Sequence, residues 1–338
     1  MSKEYLVFAN YFNGWWRGDS TKWAWGGRDW RLEYPGRIPL AGCYNGADTM
    51  RAEIDCAGGG GVDCFVMLWY HAPEKSVEGV EHLKRGVEDF MNSPNAGKMS
   101  FMIEDCNHLP FLTESEAGWD KIASYFVDCM KHPSYMRVGG KALFKIHGLT
   151  FFYRETGGDI GRARRRIDFL RDRAMKEGGG GELLVSAGAE AEGSAEYRAL
   201  FDYFSSYAAD IPAPPETAEK HPYRYLKVAA LETAEKFKGK FPYMPFVMGG
   251  WDPAPWHDPR PSFSFPSESE WRDMLIGMKK LLDENEELGI PCGKGRQKAF
   301  NIYAWNEYGE GGILAPTLGD GDMKLRVLKE VFSGDGRQ

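Results

Sequence analysis

The chain has 338 residues, a formal charge of −7, 43% hydrophobic and 27% charged residues, the balance of an ordinary globular protein. No basic face with interleaved aromatics is present, which argues against nucleic acid as a partner. No apolar run reaches the ~18 residues that a membrane span needs, and six cysteines without CxxC spacing argue against a disulfide framework or a metal cluster.

Met1 runs almost directly into a strand with no signal-peptide pattern, the expectation for an intracellular protein or for a chain whose leader has been removed. Tyr5 to Tyr11 reads as strand one. A loop to about Asn45 follows, with Trp15, Trp16, Trp23, Trp25 and Trp30, long enough to suggest a function of its own. Asp48 to Ala57 is helical, closed by Gly58 to Gly61. Val62 to Trp69 is a continuous apolar run, as expected for a strand covered on both faces. Val80 to Phe90 is a helix, Met99 to Ile103 a strand, and Ser115 caps a helix to Met130. Ala142 to Ile146 is a strand. The helix from Ile160 to Lys176 carries the basic run Arg162 to Arg166, read as a solvated face. Leu183 to Ala187 is strand five, Ser194 to Ala199 a short helix and Phe201 to Tyr207 strand six. A Pro-rich stretch at Ile211 to Pro215 leads to a helix from about Tyr223 to Phe237. Met244 to Met248 is strand seven, and Pro253 to Pro266 a loop. Ser267 caps a helix to about Leu288, Lys298 to Ala304 is strand eight, and Met323 to Phe332 is the last helix.

Eight alternations of short apolar strands with helices predict an α/β fold, a single (β/α)8 TIM barrel over 1–338 with a long Trp-rich loop after strand one. A doubly wound nucleotide-binding sheet is the alternative, but no GxGxxG or P-loop follows strand one. In a parallel barrel every strand C-terminus opens on one mouth. Polar groups recur there: Asn10 and Tyr11, Trp69 with Tyr70 and His71, Glu104 to His108, His147, Trp251 with Asp252, and Glu307 with Glu310. Each alone has a plain reading as a helix cap or loop residue; their recurrence at six strand ends points to a site.

Glu307 and Glu310 follow the eighth strand in a glycine-rich turn, with Trp305 to stack and Asn306 to hydrogen-bond. Two carboxyls in one pocket push one pKa up, giving an acid and an ionised partner. Glycoside cleavage needs that pair. The 14% aromatic content suits it, because aromatic faces stack on the apolar faces of pyranose rings. The candidate catalytic residues are therefore Glu307 and Glu310. Candidate substrate contacts are Tyr11, Trp69, Tyr70, His71, Glu104, His147, Trp251, Asp252, Trp305 and Asn306. Glu104, Asp105, His108 and His147 are the competing metal ligands, but none share i, i+4 spacing on a helix. No metal or cofactor is expected, and no elbow motif supports a Ser or Cys nucleophile. The expected partner is an oligo- or polysaccharide substrate.

Ala304-Trp-Asn-Glu-Tyr-Gly-Glu-Gly311 resembles the Asn-Glu-Trp-x-Glu-Gly signature of glycoside hydrolase family 99 and its WbsX-like relatives. Val247 to Pro255 resembles the Gly-Trp-Asp-Asn-x-Pro segment of the WbsX-like group, and Ile103-Glu-Asp105 is similar to the Ile-Glu-Pro segment of family 99. The resemblance implies a metal-free (β/α)8 barrel that cleaves α-linked, mannose-type glycans with retention in polysaccharide degradation. It casts Glu307 as the base that deprotonates the sugar 2-hydroxyl to give a 1,2-anhydro-sugar. Glu310 would be the acid/base at the leaving oxygen and Glu104 a substrate contact. Tyr308 and Gly309 stand where the family has bulkier Trp and His, which implies a differently shaped mouth. WbsX-like proteins also carry a glycosyltransferase reading, in polysaccharide assembly, and a non-catalytic glycan-binding barrel is the third alternative.

Overall fold

The apolar runs become eight parallel strands in the computed structural model, in which residues 3–18, 22–72, 77–179, 181–188, 195–208 and 219–332 are described. These are β1 (Tyr5–Tyr11), β2 (Cys64–Trp69), β3 (Ser100–Asp105), β4 (Lys141–Ile146), β5 (Leu183–Ala187), β6 (Tyr203–Phe204), β7 (Phe246–Met248) and β8 (Gly295–Tyr303). Their spatial order is β7-β8-β1-β2-β3-β4-β5-β6. The ring closes where Phe204 bridges Tyr243 in parallel: the Phe204 amide donates to Pro242 O and the Met244 amide to Phe204 O, both at 2.9 Å. A closed sheet covered outside by helices buries its strands on both faces, hence the continuous apolar runs.

Three of the α-helices start where a short polar side chain satisfies orphan amides of the first turn. After β1 comes α1 (Ala47–Gly59), and after β2 come α2 (Val80–Lys84) and α3 (Gly86–Met91). The Ser115 hydroxyl accepts from the Gly118 amide and opens α4 (Glu116–Met130). Following β4 are α5 (Leu149–Glu155) and α6 (Ile160–Glu177), the latter capped by the Asp159 carboxylate. Then come α7 (Ala195–Arg198) and α8 (Arg224–Phe237). A Ser267–Glu270 capping box opens α9 (Glu268–Glu284), and α10 (Met323–Phe332) follows β8. Ser194 and the stretch 211–215 lie outside the described residues.

Several expectations shift. The single helix expected over 80–90 divides at Arg85 into α2 and α3, and Gly86 at the start of α3 packs so closely on Asn13 that a Cβ would sit 3.0 Å from its side chain. Strand six shrinks to the two residues Tyr203–Phe204, with the Ser205 amide still donating to Ala187 O at 3.1 Å. The Gly58–Gly61 run does not stop α1 at Ala57, because the helix runs through Gly59 and turns at Gly60. The basic run is not wholly solvated. Arg166 is buried, its guanidinium donating to the carbonyls of Thr113, Glu114 and Ser115 ahead of α4. The long first loop is built rather than irregular. It holds a short hairpin (Ala24–Trp25 with Arg28–Asp29) and 3-10 turns at Trp30–Leu32 and Pro35–Arg37. An additional strand, Ile290–Cys292, runs antiparallel to the start of β8.

Candidate active site

The chain leaves β8 through a cis peptide between Tyr303 and Ala304 and forms a small antiparallel ladder, Asn306–Glu307 against Gly312–Ile313. Between these arms lies the turn that carries both carboxyls. The Gly311 amide donates to Glu307 O at 2.8 Å, and Gly311 sits at φ +83° in the left-handed region that glycine adopts without strain. Gly309 and Gly312 have a steric reason as well. A Cβ at Gly309 would lie 2.2 Å from the Trp256 indole, and one at Gly312 would lie 2.4 Å from the Tyr303 ring.

Glu307 and Glu310 both face a cavity of about 230 Å³ at the C-terminal mouth of the barrel. Its walls are Phe12, Lys22, Tyr70, Leu83, His108, Phe111, His147, Tyr207 and Trp256. The Tyr207 hydroxyl donates to Glu307 Oε1 at 2.7 Å. The Tyr303 hydroxyl donates to Glu310 Oε2, and Arg260 Nη2 stands 3.5 Å from Glu310 Oε1. Burial pushes the Glu307 carboxyl up, and the charge of Glu310 adds to it; Tyr207 and Lys22 pull the other way, leaving the pKa at about 8. Burial also raises Glu310, against the opposing pull of Tyr303 and Arg260. The pair therefore retains a proton near neutral pH, held more tightly by Glu307, while the neighbouring guanidinium favours charge on Glu310.

Of the sequence-read contacts, Tyr70 and His147 line this cavity beside the two glutamates. Glu104 lies beneath it, fully buried. Its Oε1 meets His147 Nδ1 at 2.7 Å and Lys145 Nζ at 3.1 Å, and its Oε2 accepts from Asn10 Nδ2 at 3.0 Å. Asn301 in turn donates to Asn10. Burial pushes the Glu104 carboxyl up, but Lys145 and His147 outweigh it and hold its pKa at about 2. Trp251 borders the pair indirectly: Arg260 lies over its indole at 4.4 Å, and Tyr303 packs beside it.

The other sequence-read residues do not line the cavity. Tyr11 and Trp305 turn into the barrel wall, where both donate to the buried Glu53 carboxyl at 2.7 and 3.0 Å. Asn306 Oδ1 accepts the Phe12 amide at 2.7 Å and so places a wall residue. Trp69 stacks with His71 and Tyr125 at ring distances of 5.3 Å each. Asp252 is fully buried against Arg37 and Lys220. The loop tryptophans expected at a sugar site mostly pack on one another. Trp15 and Trp23 pack on each other and on Tyr308, with Trp23 parallel to that phenol at 5.3 Å, and Trp30 packs on both tryptophans. The tryptophan lining the cavity is Trp256, from the loop after β7. Among the described residues no three His, Cys, Asp or Glu side chains are grouped to hold a metal ion, and no helix is long and apolar enough to cross a membrane.

A wider hollow of about 750 Å³ lies at the opposite barrel end, lined by Lys3, Val62, Asp63, His132 and Arg137 among others. Its Asp63 carboxylate is taken up by Lys3 and the Val7 amide, so it offers no paired acid.

Fold and cavity together define a (β/α)8 barrel with a carboxyl pair, Glu307 buried and Glu310 half-buried, at its C-terminal mouth. No protein-family model matches the chain, and no curated protein matches it in sequence. Among solved structures it is similar to a glycoside hydrolase-like protein, at TM-score 0.65 and 13% identity over 98% of this chain and 94% of that one. It is also similar to the GH99 endo-alpha-mannosidase from Bacteroides thetaiotaomicron, at TM-score 0.59 and 15% identity over 97% and 96% of the two chains. A third likeness is to GH5_18 from Streptomyces cattleya in complex with GlcNAc, at TM-score 0.54 and 11% identity over 98% and 80%. Likeness at these identities establishes the shared barrel fold.

Proposed function

We propose that this chain is a retaining glycoside hydrolase acting on α-linked glycans of mannose type, with Glu307 and Glu310 as its catalytic pair. The observation that carries the reading is the placement of two carboxyls, Glu307 buried and Glu310 half-buried, three residues apart on one turn facing one cavity at the strand C-termini. The barrels of similar shape include an endo-alpha-mannosidase, which supports the substrate class.

In this reading Glu307 takes the proton of the sugar 2-hydroxyl as O2 attacks the anomeric carbon. The C1–O bond to the leaving group breaks, and the departing oxygen takes the proton of Glu310. Water then attacks C1 of the 1,2-anhydro-sugar and gives a proton to Glu310, while O2 recovers the proton from Glu307. Both carboxyls end as they began. The step needs one proton on the pair, resting on Glu310. Burial favours it on Glu307, so the working form is the minor arrangement of the same singly protonated pair. Tyr70, His147 and Trp256 would hold the sugar, and His147 is oriented for that by Glu104.

The test is the pair of variants Glu307→Gln and Glu310→Gln. Each should lose at least about 100-fold in rate on an unactivated glycoside. A glycosyl fluoride, whose leaving group needs no proton, should restore the Glu310→Gln variant and not Glu307→Gln. Near-native turnover of either variant on the unactivated substrate removes the reading; rescue of Glu307→Gln instead reverses the two roles.

A further inference from the structure

Glu307 and Glu310 share one turn, so their separation depends on how that turn is held. Its three successive carbonyls are all gripped from outside. Arg37 Nη1 donates to Tyr308 O at 2.9 Å and to Gly309 O at 3.4 Å, and the Asp252 amide donates to Glu310 O at 2.6 Å. Arg37 also fixes Asp252, donating to its backbone carbonyl at 2.8 Å and to its carboxylate at 2.5 Å, where Lys220 adds a contact at 2.9 Å. Arg37 is 3% exposed, and its guanidinium lies over the rings of Tyr34 and Phe265 at 5.0 and 5.2 Å. Its own segment is zipped to the chain that follows the turn. The Leu318 amide donates to Ile38 O and the Gly319 amide to Gly36 O, while the Leu40 amide donates to Pro316 O.

Arg37 does not line the catalytic cavity. It lines a separate one of about 270 Å³ behind the turn, with Lys220, Asp252, Phe265 and Thr317. We infer that Arg37 is a positioning residue that sets the spacing and orientation of Glu307 and Glu310 by clamping the backbone between them. This rests on the catalytic pair proposed above. It also gives the long loop after β1 its task, which is to deliver this guanidinium to the back of the turn. The planar fork matters: it reaches three carbonyls and a carboxylate in fixed directions, which a lysine ammonium does not.

The experiment compares Arg37→Ala and Arg37→Lys with the parent protein. Misplacing reacting groups by an ångström costs on the order of 100-fold in rate, so kcat should fall about that far in both, with KM nearly unchanged. Guanidinium chloride at millimolar concentration should recover part of kcat in Arg37→Ala, whose emptied side-chain space adjoins the rear cavity, and none in Arg37→Lys. In the parent, carbon-13 carboxyl titration should find the raised pair. In the variants the upper pKa should fall by about one unit or more as the carboxyls separate and water enters. If Arg37→Ala does not fold, Arg37→Lys carries the test. Unchanged kcat and an unchanged carboxyl titration in Arg37→Lys overturn the clamp. If the parent cleaves no glycoside at all, the titration still decides. A shifted pair then upholds the clamp and places the failure on the hydrolase reading, while an unshifted pair overturns the clamp as well.

Discussion

Replacing Tyr207 by Phe removes one oxygen and little else. The phenol ring packs against Tyr303 and His147 with ring centres 4.9 and 5.0 Å away, contacts that Phe keeps. What is lost is the hydrogen bond to Glu307 Oε1 at 2.7 Å. A hydrogen bond to a charged acceptor contributes about 1.5–3 kcal/mol, and each pKa unit corresponds to about 1.36 kcal/mol. The donor stabilises the ionised carboxylate, so its loss disfavours ionisation. The Glu307 pKa should therefore rise from about 8 by roughly one to two units. Near neutral pH the ionised fraction of Glu307 falls by about ten- to a hundredfold, and a rate that needs Glu307 as base falls with it. Carbon-13 titration of labelled glutamate carboxyls reads the shift without any substrate. A Glu307 pKa that stays put or falls in Tyr207→Phe refutes the reasoning, because the tyrosine would then not be stabilising the charge.

Other outcomes test other parts of the account. Glu104→Gln leaves Lys145 buried without its carboxylate, which should cost about 3–5 kcal/mol in urea unfolding. It should also free the His147 ring, seen as loss of a single tautomer in nitrogen-15 spectra. Gly309→Ala puts a methyl 2.2 Å from the Trp256 indole, so the ring must leave the cavity wall; Trp emission should change and sugar binding weaken severalfold. Stability should depend on pH in a stated direction. Burial raises the carboxyls of Glu307, Glu53 and Asp105 to about 8, 7 and 7. Each such contribution is complete below the ordinary carboxyl pKa and is lost as pH rises through the folded value. Glu104, held at about 2, contributes in the opposite sense, losing its part as pH falls toward that value. Calorimetric Tm should thus be highest near about pH 5 and decline by pH 8; a Tm that rises steadily from pH 5 to 8 contradicts this.

Strand and helix order was legible because a barrel strand buried on both faces leaves an unbroken apolar run, as at Cys64–Trp69, and because Ser115 and Ser267 cap as their positions suggest. The two glutamates were legible for a similar reason, since an abrupt change from apolar to glycine-rich acidic sequence marks a strand leaving the core at Tyr303. The walls were harder. Tyr207 ends the sixth apolar run, so the rule that pointed to Tyr70 and His147 reaches it too, although the strand itself stops at Phe204. Lys22 and Trp256 come from loops whose path no periodicity fixes. Asp252 illustrates the opposite error. A carboxylate at a strand end reads as a ligand contact, but a buried arginine from the long loop after β1 claims it, a pairing of residues 37 and 252 that only the fold reveals. Trp305 and Tyr11 likewise sit beside polar sequence yet face Glu53 inside the wall; for Tyr11 the reason is that alternate strand residues point to opposite faces, while Trp305 lies past the end of β8, where strand alternation no longer applies.

The most direct measurement is a proton-NMR time course of the protein with a panel of defined α-linked oligosaccharides, mannose-type included. The account predicts release of a sugar that first appears as the α-anomer, abolished in Glu310→Gln on the same substrates. Release first as the β-anomer, or no release from any member of the panel alongside transfer from a sugar nucleotide, contradicts it.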